Sequence, residues 1–404
     1  MNEIRHPYHR YETFFMWTVI VLWLTSQIVS VLHLQNIPQI SDALRYETIA
    51  RECISLGAWY PMPEQITGLP DNPTYICYAG LINFIIISIR IFGTYKAVFW
   101  LNILFNGIIL ASIYRITAAL SGRSAARIAV CLFCLCPQSV FYLCGTMSEL
   151  PCMALAYLSV AIIGNRRYLI LLLSGVLMTA AIYVRSVAAL FAIPAILYMI
   201  LKKYRLKSIS TYIIGIVLGC MTVSAINQII SGEHRFISST TLGINMLIGA
   251  NDYCHGSYNS QILDDKLEDE LTGNDVFQCD SIYRAHALEW IKDNPEKWLL
   301  LSPAKIKCQL GVDKNYPLGL IYSYVYQSLL YLAALYGLWI RRKRIVGIDG
   351  TVLLPFISSL LLAILTVGGA RYNFPFIPCL IYFAAVASNR LSRIVINRYN
   401  IISR

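Results

Sequence analysis

Residues 14–34 read FFMWTVIVLWLTSQIVSVLHL, a run that contains no Asp, Glu, Lys or Arg. Its length matches the ~20 residues a helix needs to cross a hydrocarbon core about 30 Å thick. The run follows a basic, histidine-containing start (Arg5, His6, His9, Arg10), is too long for a signal-peptide core and has no small-residue cleavage site after it. It therefore reads as an uncleaved anchor. Similar runs recur along the chain, at 212–230 and 318–340 for example. A chain of 404 residues that is 57% hydrophobic and 14% charged, with a mean hydropathy of +0.58, cannot bury that much apolar surface in a water-soluble core. The bilayer is its solvent.

The placement of basic residues sets the orientation. Clusters at Arg115/Arg123/Arg127, Arg166/Arg167, Lys202/Lys203/Arg205/Lys207, Arg341/Arg342/Lys343/Arg344 and the tail from Arg390 to Arg404 are expected to be cytoplasmic. If the apolar run 75–91 crossed the membrane, every later cluster would change sides, so this segment is expected to lie in the interface. The expected fold is an all-α polytopic membrane protein with about ten transmembrane helices, beginning near Phe14, Ala97, Ala125, Met147, Tyr168, Ser186, Ile209, Leu318, Thr351 and Asn373. Both termini then face the cytoplasm. The chain reads as one transmembrane unit, 1–404, with two large extracytoplasmic loops, 35–96 and 231–317. The second is expected to act as a lid, with a polar, acidic stretch (Asp264, Asp265, Glu268, Asp269, Glu270) followed by interfacial helices over 283–310 that carry Trp290 and Trp298.

The net charge of +11 does not point to nucleic acid, because in a membrane protein the position of each charge matters more than the sum. Most of the 12 cysteines sit in apolar segments, as small hydrophobes, and the Cys131, Cys134, Cys136 cluster is not read as a metal site. Cys53, Cys77, Cys254, Cys279 and Cys308 fall in expected outer regions, where a disulfide is feasible but its pairing is not readable. The spans carry almost no ionisable residues in mid-membrane, which argues against a transporter. Polar residues gather instead at the expected outer ends of helices: Asp42, Glu149, Arg185, the loop 231–258 and Arg371.

Four segments in this order carry a resemblance. They are Ser41-Asp42-Ala43 with Tyr46 and Ala50 leading to Gly57 and Tyr60; Asn72-Pro73 before an apolar helix ending in Phe92-Gly93; Met147-Ser148-Glu149-Leu150; and the stretch 238–249 followed by Asn251. Together they resemble the GT-C superfamily of polyprenyl-phosphate-sugar-dependent glycosyltransferases, in the branch with the lipid A aminoarabinose transferase and the protein O-mannosyltransferases. The resemblance implies a GT-C-like fold in the cell inner membrane, an extracytoplasmic active site and a polyprenyl-phosphate-linked sugar as donor. The acceptor would be a glycolipid, an O-antigen-type glycan or a protein, met among membrane lipids. By position in the first outer loop, the resemblance makes Asp42 the base that activates the acceptor hydroxyl.

Expulsion of a phosphate needs no general acid, but it needs positive charge beside it. Arg371, in Gly368-Gly369-Ala370-Arg371-Tyr372, is the candidate, since a guanidinium can bind two phosphate oxygens at once; Lys305 and Lys307 are reserves, with lipid-headgroup contact as the competing reading. Glu149 could bind sugar or, with Asp42, a divalent ion, or could simply cap the helix it opens. No cofactor is expected to be required, and a divalent cation is the only one the residues allow. Arg185 needs a partner, either Glu149 or the lipid phosphate. Gly243, Asn245, Gly249 and Asn251, next to His234, read as a flexible polar loop that can bend over a sugar, or as a turn-rich connector. Tyr46, Trp59, Tyr60 and Tyr75 are aromatic candidates near the donor, against the ordinary interfacial belt of Trp and Tyr. Two other functions compete: an O-antigen polymerase or ligase, which would favour arginines in the large loop, and a non-enzymatic carrier or flippase of lipid-linked glycans.

Overall fold

The computed structural model describes residues 8–67, 73–263, 267–312 and 320–402. Asn72 of the second motif, Asp264 and Asp265 of the acidic stretch, the lid boundary at Pro317, the span start at Leu318, and Arg5, His6 and Arg404 lie outside them. Every element among the described residues is helical. The helices of eight residues or more run, in order, α1 (Tyr8–Leu34), α2 (Ser41–Ser55), α3 (Ala79–Phe92), α4 (Ala97–Ser121), α5 (Arg123–Cys134), α6 (Glu149–Ile162), α7 (Tyr168–Val184) and α8 (Ala189–Leu201). They continue as α9 (Leu206–Ser231), α10 (Leu242–Gly249), α11 (Val276–Asp293), α12 (Pro295–Gln309), α13 (Leu320–Ile345), α14 (Ile348–Leu365) and α15 (Ile377–Ile402).

A helix stands at or within three residues of nine of the ten expected span starts, and α13 begins at Leu320, just past the tenth. Five described helical stretches are both long and apolar enough to cross a bilayer: Tyr11–Leu34, Ala97–Ser121, Leu206–Ser231, Ile348–Leu365 and Ala370–Val395. A sixth forms if Arg123–Cys134 and Gln138–Cys144, bent by 56°, count as one broken span. The remaining apolar helices are shorter; α3 has 14 residues and so reaches about 21 Å, less than the hydrocarbon thickness. Its buried side includes Leu81, Ile82, Ile85 and Ile86, packed into the main apolar core.

Without a hydrophobic force between helices in lipid, close approach depends on small residues. α7 and α9 meet in this way: a Cβ on Gly175 would lie 2.2 Å from the carbonyl oxygen of Tyr212, and one on Gly215 2.2 Å from that of Leu172. Beside them Ser159 of α6 and Ser174 of α7 bond to each other's carbonyl oxygens at 2.7 and 2.8 Å, so both hydroxyls are matched across this contact. All twelve cysteines are free thiols, including the outer-region set Cys53, Cys77, Cys254, Cys279 and Cys308.

Between α9 and α13 the chain builds its own small core from Ile244, Leu247, Cys279, Tyr283 and Ala287, with Val367 joining from the other side. The cap of α11 is a capping box, in which Asp275 accepts from the backbone N–H groups of Phe277 and Gln278 at 2.8 Å. The flexible loop expected over 243–251 is corrected by the structure: Leu242–Gly249 is a buried helix. Gly243 and Gly249 serve close packing, since a Cβ would lie 2.1 Å from the Asp280 oxygen and 1.7 Å from the Thr366 oxygen, respectively.

Candidate active site

The site begins at a break. After α5, Pro137 cannot continue the helical hydrogen-bond ladder, and the chain turns into short helical pieces, Gln138–Phe141 and Tyr142–Cys144, before α6 starts at Glu149. In an apolar setting the carbonyls so freed need donors, and α4 supplies them. Asn102 donates to Leu143 (2.9 Å) and Gly145 (3.2 Å), and Asn106 to Ser139 (2.8 Å). The start of α2 is tied to the same segment: Gln39 donates to Cys144 at 3.1 Å, and the Thr146 hydroxyl donates to the Ala43 carbonyl at 2.7 Å. The break thereby draws Asp42, in the first turn of α2, next to Glu149, in the first turn of α6. Ser41, just before Asp42, has φ +53°, an uncommon backbone for a residue other than glycine.

Four charged side chains from four parts of the chain then converge. Arg371 donates through Nε to Glu149 Oε1 and through Nη1 to Asp42 Oδ2. Arg185 donates through one nitrogen to Glu149 Oε1 (2.6 Å) and to Ser148 Oγ (2.8 Å). Glu149 is fully buried and Arg185 nearly so, whereas the Asp42 side chain is 47% exposed and that of Arg371 17%. The exposed pair is the reachable one. Glu149 spends Oε1 on two guanidiniums and leaves Oε2 buried with no hydrogen-bond partner. It makes no capping bond to α6, so its work is to hold the two arginines rather than to cap.

Aromatic rings floor the cluster. The Arg185 guanidinium lies 5.3 Å from the Tyr78 ring centre and 5.7 Å from that of Tyr372, and Tyr46 meets Tyr78 edge-to-face at 5.9 Å. Arg185, Tyr78, Tyr372, Asn245 and Gln309 open onto a cleft whose other wall is formed by Ser359, Leu362 and Ala363 of α14 and by Thr366 just after it.

Of the residues singled out in the sequence, Asp42, Glu149, Arg185, Arg371 and Tyr46 come together, and Asn245 lines the adjoining cleft. Others do not join them. Asn251 donates to Leu247 and Ile248 and accepts from Tyr253 N–H, so its polar atoms close the end of α10. His234 is exposed and makes no contact with the cluster among the described residues. Lys305 is neither at the lipid surface nor beside Arg371; it is buried and donates to the Ile364 carbonyl at 2.7 Å, with burial pushing its ammonium down to about 8. Lys307 is exposed. Trp59 and Tyr60 serve packing: Arg90 covers the Trp59 ring at 4.1 Å, and the Tyr60 hydroxyl accepts from Cys77 N–H at 2.8 Å. Tyr75 pairs with Arg45. Tyr78 and Ser148's hydrogen bond to Arg185 were beyond sequence reasoning, because both arise from contacts across long stretches of chain.

The arrangement has relatives. Residues 80–227 match the family described as dolichyl-phosphate-mannose-protein mannosyltransferase, a stretch that includes Glu149 and Arg185 but neither Asp42 nor Arg371. The fold is similar to that of the Archaeoglobus fulgidus oligosaccharyltransferase in its apo form, with a TM-score of 0.52 and 11% identity over 97% of this chain. The family match covers 148 of the 404 residues, and the archaeal match is one of fold. It spans 52% of that archaeal protein's length. No curated protein matches it in sequence. The family match covers the buried Glu149 and Arg185, while Asp42 and Arg371 come from the chain on either side of it.

Proposed function

We propose that this chain is an integral membrane glycosyltransferase that moves one sugar from a polyprenyl-phosphate carrier to an acceptor outside the cytoplasm, with inversion at the anomeric carbon. It would sit in the cell inner membrane with both termini in the cytoplasm. The observation that carries the reading is Arg371 bridging a half-exposed carboxylate, Asp42, and a buried one, Glu149.

In the resting arrangement the four charges sum to zero, and Arg371 holds the base. The donor is a phosphodiester with one negative charge. When its phosphate enters beside Arg371 it takes the place of Asp42, which frees that carboxylate to face the acceptor hydroxyl. Asp42 removes the hydroxyl proton, the acceptor oxygen bonds to the anomeric carbon, and the bond from that carbon to the phosphate oxygen breaks with its electron pair on the phosphate. The leaving phosphate gains one negative charge as Asp42 loses one. The net charge of the loaded site therefore stays the same through the step, and Arg371 and Arg185 stabilise the departing anion. Glu149, fully buried, keeps Arg185 and Arg371 in place through the step.

No metal is assigned a role. Asp42 and Glu149 are bridged by a guanidinium, and among the described residues no group of three His, Cys, Asp or Glu side chains is placed to hold an ion. The lipid tail would enter sideways from the bilayer, with the segment 231–317 closing over the donor.

Mass analysis of membrane glycolipids and surface glycans, with and without the protein, tests the reading: one hexose or pentose per acceptor should vanish when the chain is absent and in Asp42→Asn. Unchanged glycans in both would refute it, and vectorial transport by purified protein in vesicles with no covalent product would replace it with a carrier.

A further inference from the structure

The other end of the bundle holds a second charged concavity. Along α15, Arg393 lies 16 residues beyond Ile377, so it stands about 24 Å from the end that carries Arg371. Arg341, Arg342, Lys343 and Arg344 at the end of α13 line this concavity with Arg390 and Arg393 of α15. Among the described residues one carboxylate pairs with them: Asp349, fully buried in the first turn of α14, meets Arg344 at 3.2 Å and Arg341 at 3.7 Å. Tyr382 donates to Asp349 at 2.9 Å and lies 2.9 Å from the Ser121 hydroxyl, which in turn accepts from Arg341 at 2.7 Å. Two arginines are thus fixed by a network. Arg342, Lys343, Arg390 and Arg393 have no carboxylate partner among the described residues.

Basic helix ends alone describe any cytoplasmic face. Here they adjoin a mostly apolar, partly open groove between α4, α6, α8, α14 and α15. Ile113, Val160, Phe191, Val352 and Cys379 line it. The two spaces share walls: Leu120 faces the groove and its neighbour Ser121 the basic concavity, while Tyr382 faces the groove and Val386, one turn on, the concavity. Towards the cleft beside Arg185, by contrast, two stacked rings intervene. Phe191 of the groove and Phe376 of the cleft lie 5.4 Å apart at 6°.

We propose that these adjoining spaces form a binding site for one anionic glycerophospholipid, its phosphate on the unpaired cations and one acyl chain in the apolar groove. The headgroup meets a formal excess of positive charge, and the chain meets a mostly apolar lining. Trp339, stacked on Tyr336 at 5.9 Å and covered by Arg342 at 5.0 Å, marks the level of the headgroup region. The site stands apart from the reacting cluster, so its test is lipid retention rather than turnover, and either reading can fail without the other.

Native mass spectrometry of the full chain in mild detergent, titrated with phosphatidylglycerol, reads the occupancy directly. One phosphatidylglycerol per chain should be retained under conditions that strip phosphatidylcholine of the same chain length, and inorganic phosphate should not displace it. The double variant Arg390→Ala/Arg393→Ala, at two exposed positions, should weaken retention roughly fivefold per removed cation. Gly164→Leu should weaken it with every cation in place, because Gly164 lines the groove and a Cβ there meets nothing within 4 Å. Equal retention of both lipids, unchanged retention in the double variant, or displacement by inorganic phosphate or by a polyprenyl phosphate would each overturn the assignment.

Discussion

The two ends of the bundle treat a buried carboxylate in opposite ways. At one end Glu149 is shared by Arg185 and Arg371, and a second carboxylate, Asp42, completes a neutral set. At the other, Asp349 is shared by Arg341 and Arg344, and the surplus is cationic, with four further basic side chains unpaired among the described residues. A neutral cluster can exchange one anion for another without a large change in its own electrostatic energy, which suits turnover. A cationic concavity can only gain by taking an anion, which suits retention.

The largest expected effect separates the two carboxylates. Glu149→Gln leaves Arg185 and Arg371 without their buried counter-charge and should cost about 3–5 kcal/mol of stability, along with turnover. Asp349→Asn should cost distinctly less, because the Arg344 side chain remains 43% exposed and can turn to water. Thermal unfolding of both variants in the same detergent checks this, and equal losses would break the comparison. Next in size is Asp42→Asn, which should lower turnover by about 10²–10⁴-fold while stability moves by no more than about 1 kcal/mol, as for an exposed pair. Arg371→Lys keeps the charge but cannot place two nitrogens on two carboxylates, so turnover should fall about 10²-fold with donor KM raised. Steady-state kinetics at varied donor concentration separate those two effects.

Smaller effects sharpen the boundary of the site. Lys305 has its folded pKa depressed to about 8 from 10.5, so between those pH values the unfolded chain holds more protons and stability should rise with pH. Below pH 8 this contribution is flat, and Lys305→Met should remove the rise; a denaturation series from pH 7 to 10.5 measures it. His234→Ala should leave turnover within experimental error in the same glycan assay, since the ring is exposed and touches none of the cluster.

Much of the cluster was legible because charge is scarce in an apolar chain. Asp42, Glu149, Arg185 and Arg371 are conspicuous in the sequence for lying at helix ends where little else is ionic, and bilayer physics makes each such residue require a partner. The polar loop residues were a different matter. Gly243, Asn245, Gly249 and Asn251 have the composition of a turn, yet they fold as a buried helix and its cap because Asp280 and Thr366, remote in sequence, approach where a side chain would not fit. The sequence offers Lys305 as a phosphate ligand or a headgroup contact for the same reason: nothing nearby in sequence shows that Ile364, near the end of α14, lies beside it.

The sequence by itself determined the solvent, the helices and the short list of charged residues, since these follow from local hydropathy and from the cost of an ion in hydrocarbon. Only the tertiary structure decided who pairs with whom. Arg371 reaches back 329 positions to Asp42, and that contact depends on the break after Pro137 and on the asparagines of α4 that hold it open. Hydropathy is a sum over neighbours in the chain, whereas a salt bridge depends on neighbours in space, and the fold alone converts one into the other.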